Sequence, residues 1–161
     1  MTVASLGIAG IAWAEVGPAP YGLLYNPSES APKGWYARVP VRRLTLKTWV
    51  IARLPIQAAS LAAQRHYLPA TVPVLKQIIA TAGQLVCVRH GTVYVDSRLL
   101  VRARAFDGAH RPLIAWDGCR TLHADEFLLI NAGSESSFDS RYFGPLSRAN
   151  VLANAIPLWT W

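Results

Sequence analysis

Only one stretch of this sequence reads as a helix, and its borders leave little room for another. Pro55 to Tyr67 (PIQAASLAAQRHY) is rich in Ala, Leu and Gln, opens with proline at a first-turn position, and is closed off by Pro69 and Pro73. The apolar residues elsewhere come in short runs broken by Gly and Pro. Trp35 to Val41 (WYARVPV) alternates like a strand with a proline at an edge position, and Thr48 to Leu54 is a second strand candidate. Leu75 to Ala80 and Gln84 to Arg89 read as strands separated by a turn at Gly83. Val93 to Asp96 and Arg98 to Val101 look like a hairpin, and Phe127 to Asn131 (FLLIN) is a buried strand. The expected fold is therefore mainly β with one central helix, and 161 residues fit a single domain.

The N-terminus is a separate matter. From Met1 to Tyr25 the one charged side chain is Glu15, and Val3 to Ala14 carries none. That run is shorter than the roughly 20 residues of a spanning helix, and no basic segment precedes it. Ala12-Trp13-Ala14 also has the small-residue pattern of a cleavage site. Three readings stay open: a short or truncated membrane anchor, which we prefer, a signal-peptide core, or an apolar hairpin packed on the domain. Gly17 to Tyr21 is a breaker cluster, so residues 1–24 are assigned to this segment and 25–161 to the folded domain.

Composition removes several function classes. Apolar residues make up 52% and charged ones 16%, which excludes a disordered charged tail. The formal charge of +7 comes from scattered Lys and Arg, with small groups at Arg42–Arg43 and Arg102–Arg104. Without a dense basic run interleaved with aromatics, nucleic acid is not an expected partner, whereas an anionic membrane surface is. The histidines (His66, His90, His110 and His123) show no ligand spacing, and no phosphate-binding glycine loop is present, so no metal or cofactor is expected. Asp125-Glu126 reads as a surface turn. Cys87 and Cys119 match no zinc pattern; they are either two buried thiols or, in an exported domain, a disulfide.

Three distant segments carry complementary chemistry. Asn26-x-Ser28-x-Ser30-x-Pro32-x-Gly34-x-Tyr36 places serines in a loop stiffened by Pro and Gly, where a hydroxyl can project with little freedom to lose. Val74-Leu75-Lys76-Gln77-Ile78-Ile79-Ala80 sets a lysine in an apolar strand, where desolvation lowers its pKa towards a general base; simple alternation would instead point it to solvent. Ser136-Ser137-Phe138-Asp139-Ser140-Arg141-Tyr142-Phe143-Gly144-Pro145 offers a hydroxyl for that lysine. It also holds an Asp139–Arg141 pair on one face of an extended strand.

The set, in this order, resembles the signal peptidase I superfamily, and most closely its plasmid conjugal-transfer (TraF-type) branch. Tyr67-Leu68-Pro69, Leu75-Lys76, Gly83, the Ser137–Pro145 run and Pro157-Leu158-Trp159 all match that branch, and the resemblance covers about Tyr25 to Trp159. It implies a signal peptidase-like β core and a serine–lysine dyad with Ser30 as nucleophile and Lys76 as general base. It further implies that Ser28 joins the Ser30 N–H in the oxyanion hole, that Ser137 orients the lysine, and that Asp139 and Arg141 form a structural pair near the site. The implied substrate is an exported or membrane-inserted precursor such as a conjugative pilin, cut and in some relatives cyclised. The implied location is the periplasmic face of the bacterial inner membrane. A general leader peptidase and a non-catalytic assembly module are the alternatives. Gln77, Ala82-Gly83-Gln84 and Asn131-Ala132-Gly133 stand where typical members have Arg, Pro-Gly-Asp and Gly-Asp-Asn.

Overall fold

The computed structural model describes residues 21–161, so the N-terminal apolar run and its three readings lie outside the described residues. The strands are β1 (Gly22–Asn26), β2 (Gly34–Val39), β3 (Trp49–Ala52), β4 (Val74–Ala80), β5 (Leu85–Arg89), β6 (Thr92–Val95), β7 (Arg98–Arg102), β8 (Gly118–Thr121), β9 (Glu126–Leu129), β10 (Leu146–Ser147) and β11 (Val151–Thr160). Helix α1 is Ile56–Gln64 and a single turn, α2, is Ser140–Phe143. The mainly β architecture with one principal helix is the one expected from the sequence. Since β1 begins at Gly22 and pairs with β2 from Gly22↔Arg38, Gly22 to Leu24 are part of the sheet.

Two antiparallel sheets make up the body. The larger has seven strands in the order β1-β2-β11-β3-β4-β9-β10, and the smaller has four in the order β7-β6-β5-β8. Hydrophobic alternation sorts the core. Along β9 and the residue that follows it, Phe127 and Leu129 join Val50, Ile78 and Val151 on one side, while Leu128 and Ile130 face Val86, Val88 and Val93 of the smaller sheet. This segment is buried on both faces, which is why FLLIN shows no polar alternation.

Local chemistry fixes the boundaries. Pro55 precedes the first turn of α1, and its Ala58, Ala59 and Ala62 let the helix sit close against Val74 and Phe138. The helix ends at Gln64, short of the expected Tyr67. His66 turns left-handed (φ 59°) and the Tyr67 N–H reaches back to the Ala62 carbonyl at 2.8 Å, a Schellman-type close made without glycine. Between β5, β6 and β7 the pairs His90-Gly91 and Asp96-Ser97 both have positive φ, as two-residue type I′ hairpin turns require.

Among the glycines of the described residues, Gly34 is the one that the packing makes obligatory. Its φ is +134°, and a Cβ there would overlap the Trp159 carbonyl oxygen and lie 2.8 Å from the Thr160 Cα. Cys87 and Cys119 face each other across β5 and β8 and form a disulfide with Cα atoms 4.0 Å apart.

Candidate active site

The turn after β1 is organised by one side chain. Asn26 is buried; its Nδ2 donates to the carbonyls of Ser28, Ala31 and Pro32, each at 3.1 Å, and its Oδ1 accepts from the Ser28 N–H and hydroxyl at 3.2 and 2.8 Å. Tyr36 adds a hydrogen bond to the Pro32 carbonyl at 2.8 Å. In this rigid turn the Ser28 and Ser30 hydroxyl oxygens lie 2.8 Å apart.

Lys76 projects from β4 into the interior and is only 3% exposed, so the solvent-facing alternative is excluded. Its amine donates to the Ser137 Oγ at 2.7 Å. Burial is the main cause that lowers its pKa, from the ordinary 10.5 to about 8; the nearby Asp139 carboxylate pulls it back up and the Arg141 guanidinium pushes it down. Ser28, Ser30 and Lys76 line the same cleft of about 660 Å³. Among the hydrogen bonds of the described residues, the Ser30 hydroxyl is paired with Ser28 and the Lys76 amine with Ser137.

The Asp139–Arg141 pair forms, but not on an extended strand as the spacing suggested. Asp139 is the N-cap of α2, accepting from the Arg141 N–H at 3.2 Å, so the chain turns helical there. The Arg141 Nε and Nη2 each reach the Asp139 carboxylate at 2.8 Å, with both residues buried. Burial is the largest single influence and works against the Arg141 charge, yet the Asp139 hydrogen bond and the charges of Asp139, Tyr142 and Glu135 together outweigh it and raise the pKa. The guanidinium also donates to the Ser134 carbonyl at 2.7 Å, closing the loop that carries Ser137.

This arrangement can do acyl-transfer chemistry: a constrained hydroxyl, an amine whose neutral form is within reach near neutral pH, and a second hydroxyl beside the first. A family model described as signal peptidase, peptidase S26, matches residues 2–160. The chain belongs to the peptidase S26 family. Relatives of this S26 protein include a plasmid transfer protein TraF of Escherichia coli, 29% identical over 171 aligned residues that cover 98% of this chain and 95% of the relative. A probable conjugal transfer protein TraF of Sinorhizobium fredii is 29% identical over 174 residues, covering 100% of this chain and 86% of the relative. Another Escherichia coli plasmid transfer protein TraF is 33% identical over 90 residues, about half of each chain (54% and 51%). A solved signal peptidase I from Enterococcus faecalis overlaps 71% of this chain and 97% of its own at 17% identity and a TM-score of 0.42.

Sequence reasoning missed one wall of the cleft in this S26 peptidase. Asp107 accepts from the Tyr67 hydroxyl at 2.6 Å and from the Arg111 Nε at 2.8 Å, so a strap through residues 103–113 is tied down beside α1. Tyr67 lies 40 residues away, and no motif marks the Asp107–Arg111 stretch that meets it. Phe138 stacks on Tyr142 with centroids 5.5 Å apart, and Tyr67 tilts against it at 5.5 Å, which makes that side of the cleft aromatic.

Proposed function

We propose that this S26 peptidase is a serine endopeptidase that uses Ser30 and Lys76 as a dyad. The neutral Lys76 amine takes the Ser30 proton, the Ser30 Oγ adds to the scissile carbonyl, and the protonated lysine returns the proton to the leaving amine, which leaves an acyl-enzyme on Ser30. Water then releases the acyl group as a free acid, or an amine of the same substrate displaces it and closes a ring. The Ser30 N–H and the Ser28 hydroxyl meet the oxyanion. The observation that carries this reading is the buried Lys76 amine, held at 2.7 Å by Ser137 and lining one cleft with Ser30.

The substrate proposed is a conjugative pilin precursor presented at the periplasmic face of the inner membrane. Two observations support it: the conjugal-transfer names of the relatives, and an exposed cluster of Tyr25, Trp35, Trp159 and Trp161, from 42% to 72% accessible, that borders the nucleophile turn. Amphipathic rings of this kind favour the membrane–water boundary. Among the described residues no helix is long and apolar enough to cross a membrane.

The test is to mix the protein with a membrane-inserted pilin precursor and read the product mass. The wild type should yield a cut peptide, or one lighter by the excised segment with no free ends, while Ser30→Ala and Lys76→Ala yield neither. Efficient cutting of a broad panel of signal peptides would favour a general leader peptidase. The pairing of Ser30 with Ser28, and not with Lys76, favours a second reading, a non-catalytic assembly module, under which conjugation proceeds normally with Ser30→Ala.

A further inference from the structure

Asn131 is 4% exposed, and the whole hydrogen-bonding capacity of its carboxamide nitrogen is in use. Its Oδ1 accepts from the Gln77 N–H at 3.1 Å; its Nδ2 donates to the Leu75 carbonyl at 3.1 Å and to the carbonyl of Ser30. A carboxamide offers an acceptor oxygen and two donor hydrogens, so one group can serve three segments of chain. Two of these bonds flank Lys76 on β4, as a peptide unit of a neighbouring strand would. They are needed because β9 ends at Leu129 and the Ile130 N–H to the Gln77 carbonyl, at 3.0 Å, is the last main-chain rung there. The third bond reaches the nucleophile's own carbonyl.

The Asn131 main chain is anchored as well. Its N–H donates to the Asp139 carboxylate at 3.2 Å and its carbonyl accepts from the Arg141 Nη2 at 3.4 Å. Asn26 stiffens the turn from within but makes no bond to β4. Among the described residues, no other hydrogen bond joins the 27–33 turn to that strand; the remaining link is apolar packing of Ala31 in the cluster that holds Leu75.

We infer that Asn131 is a positioning residue that sets the nucleophile against the base, its carboxamide fastening the Ser30 carbonyl to the backbone on both sides of Lys76. It touches no reacting atom. Holding the carbonyl restrains the peptide plane that follows Ser30, and with it the place of the Cα–Cβ bond from which the Oγ projects. The inference rests on the dyad reading.

Steady-state kinetics on a fluorogenic peptide with an Ala-x-Ala cleavage pattern test it. Asn131→Ala should lower kcat about ten- to hundredfold, the size of effect that a small misplacement of reacting groups produces, with KM within about twofold of wild type. The kinetic pKa should stay where it is, since the carboxamide does not contact the Lys76 amine. A kcat within about threefold of wild type, a loss confined to KM, or a displaced pKa would overturn the inference. If Asn131→Ala does not fold, Asn131→Asp, which keeps the acceptor for the Gln77 N–H, is read against the kcat and KM outcomes alone, because its carboxylate raises the Lys76 pKa by charge. In the unsubstituted protein the side-chain amide hydrogens of Asn131 should be protected from solvent exchange; exchange at the rate of a free carboxamide would equally overturn it. Turnover retained by Ser30→Ala or Lys76→Ala would sink the dyad itself, whereas its loss there beside full activity of Asn131→Ala would sink only the tether.

Discussion

The Lys76 amine and the Ser137 hydroxyl, brought from β4 and from the turn before α2, meet at 2.7 Å in a site where Lys76 is 3% and Ser137 0% exposed. A lysine so placed is costly to charge, and a hydroxyl can serve it as an acceptor when it is protonated and as a donor when it is neutral. Several consequences can be measured.

The first concerns rate. With a pKa of about 8, roughly a tenth of Lys76 is neutral at pH 7, so peptide cleavage should climb nearly tenfold per pH unit below 8 and level off above it. A flat profile between pH 6 and 9 would count against Lys76 as the base.

Stability should move the other way round in a lysine-free variant. Above pH 10.5 the amine is neutral in both folded and unfolded chains. As pH falls from 10.5 to 8 the unfolded chain binds a proton that the folded one refuses, so about 3 kcal/mol of stability is lost across that window and stays lost below it. Lys76→Met should therefore be inactive yet more stable than wild type at pH 7, by about 2 kcal/mol after the lost Ser137 bond is counted. Urea unfolding at pH 7 and 10.5 checks this; the advantage should vanish at the higher pH and give way to a small deficit from the lost Ser137 bond.

Ser28→Ala probes the oxyanion site. Its hydroxyl lies beside the Ser30 Oγ and is held by the Asn26 carboxamide oxygen. Its removal should lower kcat about 10²–10³-fold with little change in KM. An unchanged kcat would leave Ser28 as a part of the turn and no more.

Arg141→Met should be the most damaging change away from the reacting groups. It strands the buried Asp139 carboxylate and leaves the Ser134 carbonyl without its donor. Breaking such a pair costs about 3–5 kcal/mol, measurable by denaturant titration. A cost near zero would mean that the pair is solvated in solution.

Gly34→Ala tests the backbone. The φ of +134° alone costs a side chain about 1–3 kcal/mol, and the overlap with the Trp159 carbonyl adds to it. A melting temperature equal to wild type would contradict this crossing of β2 and β11.

What the sequence made legible were the segments whose periodicity and punctuation agree with their final surroundings. Pro55 announces α1, alternation announces β2, Thr48 to Leu54 is the strand candidate that holds β3, and the apolar runs announce β4 and β9. β11 went unseen because Asn154 and Pro157 break its pattern. Asn154 spends its side chain on the Arg42 N–H and the Arg43 carbonyl, and Pro157 sits where the register shifts, so both are explained only by tertiary partners. The site shows the same division. That Lys76 meets Ser137 and shares a cleft with Ser30 agrees with the order of their motifs, whereas the contacts of Asn131 depend on which carbonyls lie around it. Asp139 and Arg141 were paired correctly but given the wrong backbone, because capping by a short carboxylate competes with extension.

The strand order carries one more meaning. β11 lies between β2, which follows the Ser30 turn, and β3, which pairs with the Lys76 strand, yet it comes after every other element in the chain. During synthesis β2 and β3 emerge early and stay without the strand that connects them until residues 151–160 arrive. The sheet therefore closes from its far end: the segment that joins the Ser30 side to the Lys76 side is the last to be made, and its pairing is wholly long-range.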